Sequence, residues 1–323
     1  MSLLNLAPNP SASHDSADMH QALRFYRAIE APILSSPLRT RIVWLLLFCL
    51  GLLSGWSLES SGISLAPGTL PGVGLPVLGL LALSYIYRRF RPDPRIAALA
   101  HMAAVTLVFT TVAAILSYTV IALWHPPLID GTLVAADRML GLDWLAAYRW
   151  VMAHHAVHLL FHVTYYTLIP QMVFLLVILN FLGRIERCWE LMGLFIVSCL
   201  GCLILSALWP AVGAFGYFHV RPDEPYLQIF QDLRNHTLTT IDHDKVQGII
   251  TFPSLHATLA MLFAYAVRGI RILFPVFIVL NALVFMATPF IGGHHFADLW
   301  GGVGLTLLTV AVVRLMQHKS ISA

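Results

Sequence analysis

Charge is scarce in this sequence: Asp, Glu, Lys and Arg together make up 11% of its 323 residues. A soluble globular domain carries roughly 25%, so the polar surface that would cover a water-soluble body of this size is missing. An excess of one sign is missing as well. The net charge is only +3, which argues against a nucleic-acid partner. Cysteine is limited to Cys49, Cys188, Cys199 and Cys202, all in or beside apolar blocks. Their spacing suggests neither a zinc site nor a disulfide framework, and they read as small packing residues. No internal repeat is evident, so an inverted-repeat transporter gains no support. The first 40 residues are polar and lack the early apolar core of a cleavable signal peptide. The first span is therefore expected to be retained, with residues 1 to about 20 loosely attached.

Hydrophobic residues are abundant, at 58%, and they cluster into blocks of about 20, the length a helix needs to cross roughly 30 Å of hydrocarbon. Backbone amides in lipid must be satisfied within their own element, so such blocks read as helices. The pattern predicts an all-α, polytopic membrane helical bundle. Its eight spans fall at about 41–58, 68–87, 96–124, 156–182, 189–212, 253–268, 272–290 and 298–316. With the N-terminus inside, only Arg138, Arg149, Arg221, Arg234 and Lys245 of the 19 Lys and Arg residues fall on the outer side, as the positive-inside rule requires. Both termini are then expected in the cytoplasm. The two long connections, 125–155 and 213–252, lie outside, where ordered loops tend to cover a site. The first contains DGTLVAADRMLGLDWL, an amphipathic stretch suited to the membrane interface. The expected division is a polar cytoplasmic segment (1–40), N-terminal transmembrane helices (41–124) and a catalytic membrane domain (125–317).

Two short segments place titratable residues at helix ends on the same outer face: Thr251-Phe-Pro-Ser-Leu-His-Ala257, and Gly292-Gly-His-His-Phe-Ala-Asp298 followed by Leu-Trp-Gly-Gly302. In the second, His294 and Asp298 are one helical turn apart. A carboxylate there can accept from one ring nitrogen and leave the other's lone pair free to attack. In the first, Pro253 suits a helix start, and Ser254 with nearby amides could bind an anion at the positive end of the dipole. His256 could supply a proton to a leaving oxygen. Together these parts describe phosphoryl transfer.

The pair of motifs resembles the type 2 phosphatidic acid phosphatase superfamily, whose PSxH is matched by Pro253, Ser254 and His256 and whose HxxxD is matched by His294 and Asp298. The resemblance implies that His294 forms a phosphohistidine, Asp298 orients it and His256 protonates the leaving group. It also implies a six-helix phosphatase-type core that works without a metal or other cofactor. Two departures stand out. Ala287 and Thr288 occupy the places of the usual Ser-Arg, and no KxxxxxxRP segment is found. Both are similar to the inositol phosphorylceramide synthase-like branch, as are the GGHHFAD segment (292–298), DRMLGLDW (137–144) and WPAVGAF (209–215). The resemblance therefore points to a lipid phosphotransferase or phosphatase. Its substrate would be a membrane lipid with a phosphate or phospho-headgroup, with an alcohol as a possible acceptor. Thr288, His295, Arg138 and Arg234 join Ser254 as candidate substrate contacts, with Arg221 and Lys245 as further outer-side cations.

Rival readings use the same residues differently. A hydrolase of lipid phosphates or polyprenyl diphosphates would take water as acceptor. A transporter would need charged residues deep in the spans, and a non-enzymatic scaffold would trap no phosphohistidine. His155, His158 and His162 fall at i, i+3 and i+7, which invites a metal reading. No carboxylate or cysteine with ligand spacing accompanies them, so the expectation is a polar stripe lining a headgroup cavity, extended by Tyr165 and Tyr166. Glu186 and Glu190, near inside arginines, are expected to form ion pairs.

Overall fold

A computed structural model describes residues 36–322, with side chains over 37–242 and 244–315. Most of the expected 1–40 segment, Arg24 and Arg27 included, lies outside the described residues. Helices dominate: α1 (Ser36–Ser61), α2 (Thr69–Arg89), α3 (Pro94–Leu123), α4 (Asp130–Met139), α5 (Trp144–Ala153), α6 (His155–Tyr165), α7 (Leu168–Phe181), α8 (Ile185–Leu208), α9 (Ala214–Phe218), α10 (Pro225–Arg234), α11 (Leu255–Ala266), α12 (Leu273–Ile291) and α13 (Phe296–Ser322). The only strands among the described residues, β1 (Ser64–Leu65) and β2 (Thr240–Ile241), form a two-residue parallel ladder. That ladder ties the α1–α2 turn to the second long connection.

Among the described residues six helices, α1, α2, α3, α8, α12 and α13, are long and apolar enough to cross a membrane. The pair α6–α7, bent by 43°, is long and apolar enough only when its two helices are taken together, which brings the number of candidate spans up to seven. The expected sixth span, 253–268, is shorter than its apolar block: α11 has 12 residues, about 18 Å of helix. Pro253 accounts for the shortening. It lies ahead of the cap residue Ser254, so it does not open the helix as expected. The chain is thus an integral multi-pass membrane protein with an all-α bundle. Large apolar side chains such as Leu45, Phe48, Leu75, Val279 and Leu308 are exposed around its girdle, where a bilayer replaces water as solvent.

α3 is the spine. Its start is specified locally: Pro94 takes the first helical position and the Asp93 carboxylate accepts from the amides of Arg95 and Ile96, so two orphan donors are satisfied. Both α1 and α2 pack on α3, which in turn packs on α7 and α8. The apolar windows of α1 and α2 are only 17% buried, against 50% for α3, so the N-terminal pair is peripheral. Contacts of α11 with α7, α8, α12 and α13, and of α12 with α6, complete the bundle around α11.

The short connections at one end of the bundle carry arginines, and the other end carries both motifs. At the motif end the first long connection folds into α4 and α5, and the second into α9 and α10. Their apolar faces close a separate core around Trp144, Phe215, Tyr226, Phe230 and Leu233. The stretch expected to lie on the membrane surface is therefore a packed collar above the site.

Candidate active site

The HxxxD segment starts a helix, and its geometry follows from helix-end chemistry. His295 caps α13 and Asp298 is the third helical residue. The Asp298 carboxylate accepts from the His295 amide at 2.9 Å, the return half of a capping box. The same oxygen lies 3.3 Å from His294 Nδ1. The amides of Phe296 and Ala297 would otherwise be orphans, and both donate to the Asp137 carboxylate of α4, at 3.1 and 2.8 Å. Burial pushes the Asp137 carboxyl above the usual range, and those two amides pull against it. On the other side of the turn, the Trp144 indole donates to the His294 carbonyl at 2.9 Å, and the Ala214 amide donates to the Gly293 carbonyl. Gly293 adopts φ +68°, and a Cβ there would lie 2.7 Å from the Phe215 ring. Only glycine meets both conditions.

His294 is thereby held as one tautomer. Its Nδ1 lies 2.9 Å from the Thr251 carbonyl, closer than to Asp298. A carbonyl can only accept, so Nδ1 carries the proton and the lone pair sits on Nε2. Burial pulls the imidazole down to about 4, with the Thr251 bond opposing and His295 assisting. The ring is therefore neutral near pH 7. Sequence spacing assigned the orienting role to Asp298; the structure gives the nearer contact to a main-chain carbonyl and leaves Asp298 as a second, longer partner.

The PSxH segment comes to the same place. His256 and His294 face each other with ring centroids 6.0 Å apart, and Tyr165 of α6 stacks on His256 at 4.4 Å. The two segments are locked where α11 meets α13: the Ser254 amide donates to the Asp298 carbonyl at 3.0 Å. This close approach depends on Gly302, whose Cβ would lie 2.6 Å from the Ser254 carbonyl. His256 and His294 share the wall of one cavity of about 740 Å³ with Tyr165, Tyr226, Thr251 and Gly292.

The other expected site residues fall elsewhere. Ser254 is fully buried and its hydroxyl caps its own helix by accepting from Ala257. The amides of Leu255 and His256 find no acceptor among the described residues and open the helix at the cavity wall. Thr288 is buried and donates to Val284 within α12. His295 is turned away from the cavity, bonded through Nε2 to Asp130 at 3.0 Å. Asp130 also accepts from the amides of Val212 and Gly213, so Asp130 ties α4 both to His295 and to the start of the second long connection. Arg138 is exposed on α4, and Arg234 donates to the Pro126 carbonyl; neither lines the cavity, and no Lys or Arg among the described residues does. Arg221 pairs with Glu224 and lies 5.3 Å over the Phe215 ring. Glu224 is close enough to Tyr226 to add to the rise in its phenol that burial causes. Of the His155–Tyr166 stripe expected along the cavity, only Tyr165 reaches it.

Sequence reasoning did not identify Asp130, Asp137, Trp144, Thr251 or Tyr226 as parts of the site. Asp130 and Asp137 are seven residues apart on one face of α4, a spacing that was available in the sequence. A family model described as the PAP2 superfamily matches residues 131–312, more than half of the chain. No curated protein and no solved structure matches it.

Proposed function

The chain belongs to the PAP2 superfamily, and from that premise we propose that it is a membrane lipid phosphotransferase working through a phosphohistidine at His294. The observation that carries this reading is the opposed His294–His256 pair, 6.0 Å apart at the end of an apolar cavity. His294 Nε2 attacks the phosphorus while the bond to the leaving oxygen breaks, and His256, having taken a proton from the bound phosphate monoanion, gives that oxygen its proton. An acceptor hydroxyl then attacks the phosphorus and returns its proton to His256, and the P–N bond breaks. Asp298 lies beside the imidazolium that forms during transfer. The Leu255 and His256 amides, at the positive end of α11, face phosphate oxygens. Arg221 swings from Glu224 to supply the positive charge that phosphoryl transfer demands. No metal or cofactor is called for.

Transfer to an alcohol is favoured over hydrolysis by the burial of His294, 3% exposed, since a dry site protects a reactive intermediate from water. Thr288 in place of arginine and the GGHHFAD segment (292–298) point the same way, towards activity similar to inositol phosphorylceramide synthases. The catalytic unit is residues 125–317. The basic end of the bundle faces the cytoplasm with both termini, and the site opens on the extracytoplasmic side. The test is product analysis on purified protein in lipid nanodiscs, supplied with a labelled phospholipid with and without added polyol. Polyol-dependent transfer and an acid-labile label on His294 are expected. Release of free phosphate regardless of polyol would make it a hydrolase, and full activity in His294→Asn would end the phosphohistidine reading.

A further inference from the structure

The cavity behind the histidine pair continues far beyond the reacting atoms. Along α3 its wall is made by Leu99, Ala103, Thr106, Thr110, Ala113 and Ser117, spaced three and four apart on one helix face. From Ser117 down to Leu99 this stripe falls about 27 Å at the helical rise. The polar members add little polarity. Thr106 donates to Met102 at 2.8 Å, Thr110 to Thr106 at 2.9 Å and Ser117 to Ala114 at 2.7 Å, each to a carbonyl of its own helix. With those hydrogens engaged, the wall presents hydrocarbon to an occupant.

The far wall is open. Ile169, Val173 and Val177 line the cavity at four-residue intervals on α7, yet they are 79%, 58% and 38% exposed. The space between α3 and α7 therefore gives sideways onto the girdle where lipid tails lie. One leaflet of the hydrocarbon core is about 15 Å thick, so the cleft is longer than a leaflet. At its upper end stand His256 and His294, where the phosphorus is held.

We infer that this cleft is a binding site for one hydrocarbon chain of the phosphate-bearing lipid, a chain longer than one leaflet that enters sideways between α3 and α7. The inference rests on the phosphotransfer reading for the headgroup at its upper end. The small side chains of α3 make the space: a water-soluble phosphate ester gains nothing from such a wall, whereas each buried methylene adds to affinity. Ala103, near the lower end, then sets the longest chain accepted.

Two measurements test it, one independent of turnover. Eicosyl phosphate with a diazirine at the far end of its chain is photolysed with the full-length protein in nanodiscs, and labelled residues are mapped by mass spectrometry. Label on the Leu99–Ala103 face of α3 and on Val177, retained in His294→Asn, is expected. Label confined to the outward faces of α1, α2 and α13 would overturn the site. In the second measurement, kcat/KM for eicosyl phosphate relative to decyl phosphate is compared between wild type and Ala103→Trp. The ratio is expected to fall about tenfold or more, and an unchanged ratio in the folded variant would also overturn it. Deep labelling without turnover of either ester would leave the cleft standing and remove the phosphotransfer reading. Turnover with surface labelling alone would do the reverse.

Discussion

The two ends of the bundle solve the problem of placing charge near lipid in different ways. At the basic end, side chain meets side chain. Arg39 forks onto Glu186 at 2.5 and 3.1 Å and lies 4.6 Å over Trp189. Arg268 meets Glu190 at 2.6 Å and lies 3.9 Å over Tyr265, whose hydroxyl also accepts from Arg314. At the motif end, the buried carboxylates of Asp130, Asp137 and Asp298 meet amides and imidazoles, with no guanidinium among their partners. A fork between two long side chains holds helices together and tolerates small shifts. A carboxylate on two successive amides fixes a stretch of main chain, and here that stretch carries His294. The first arrangement serves assembly; the second pre-organises a reacting atom.

The sharpest test of this contrast is at His294 itself. His294→Asn is expected to lower turnover by about 10³-fold or more while leaving size-exclusion behaviour unchanged, since loss of a nucleophile is felt in the transition state alone. Next comes Asp137→Ala, which leaves the first two amides of α13 without their acceptor. Turnover is expected to fall by about 10²-fold through misplacement of the His294 turn, with a loss of about 2 kcal/mol in stability from unsatisfied amides. Asp137→Asn, which keeps an acceptor oxygen, should recover part of both. Equal thermal loss with full activity in Asp137→Ala would reduce the collar to scaffolding.

A smaller effect is expected from pH. Burial holds the His294 imidazole at about 4, below its unfolded value of about 6.5. Between those values the unfolded chain binds the extra proton, so this group's contribution to stability is complete above about 6.5 and declines as pH falls towards 4. The attacking nitrogen itself stays unprotonated until about 4, so this group should not cause an acid limb in kcat/KM between pH 5 and 7. A limb appearing in that range in the wild type and moving to lower pH in Asp298→Asn would overturn this expectation and assign control of the ring to the carboxylate rather than the Thr251 carbonyl.

The share of this arrangement that could be read in the sequence follows from what kind of signal each part leaves. Spans appear because lipid demands long apolar blocks, and Leu273–Ile291 lies within a residue of its expected place at each end. Helix α11 is short because Pro253 and Ser254 end the preceding loop inside the apolar block, and hydropathy does not register a cap. His294 and Asp298 were visible as a pair because their bond is local. Thr251 was not, because its contribution is a carbonyl that any residue possesses. Asp137 was passed over because its partners, Phe296 and Ala297, are distant in sequence and again act through main chain. Ser254 and His295 were assigned to substrate because hydroxyls and imidazoles suit phosphate; the fold uses the first as a helix cap and the second as a strut to Asp130.

The least effect on catalysis is expected at the opposite end, and this is where the comparison can fail. Glu190 accepts from Arg268 and Tyr265 with its side chain only 6% exposed. Glu190→Gln leaves a buried guanidinium without its counter-charge, which costs on the order of 3 kcal/mol. If the basic end serves assembly alone, that loss should appear in thermal unfolding while kcat and KM of the folded fraction stay within about twofold of wild type. The expectation has a physical basis: Glu190 lies in the first turns of α8, at the opposite end from the site, and α8 lines the cavity only with Phe195, Cys199, Cys202 and Leu203, none of them bonded to His256 or His294. A fall in kcat matching the fall in stability would mean that the arginine forks also set the α11–α13 contact that carries His256 and His294. The two ends would then form one device, and the division drawn between them would have to be given up.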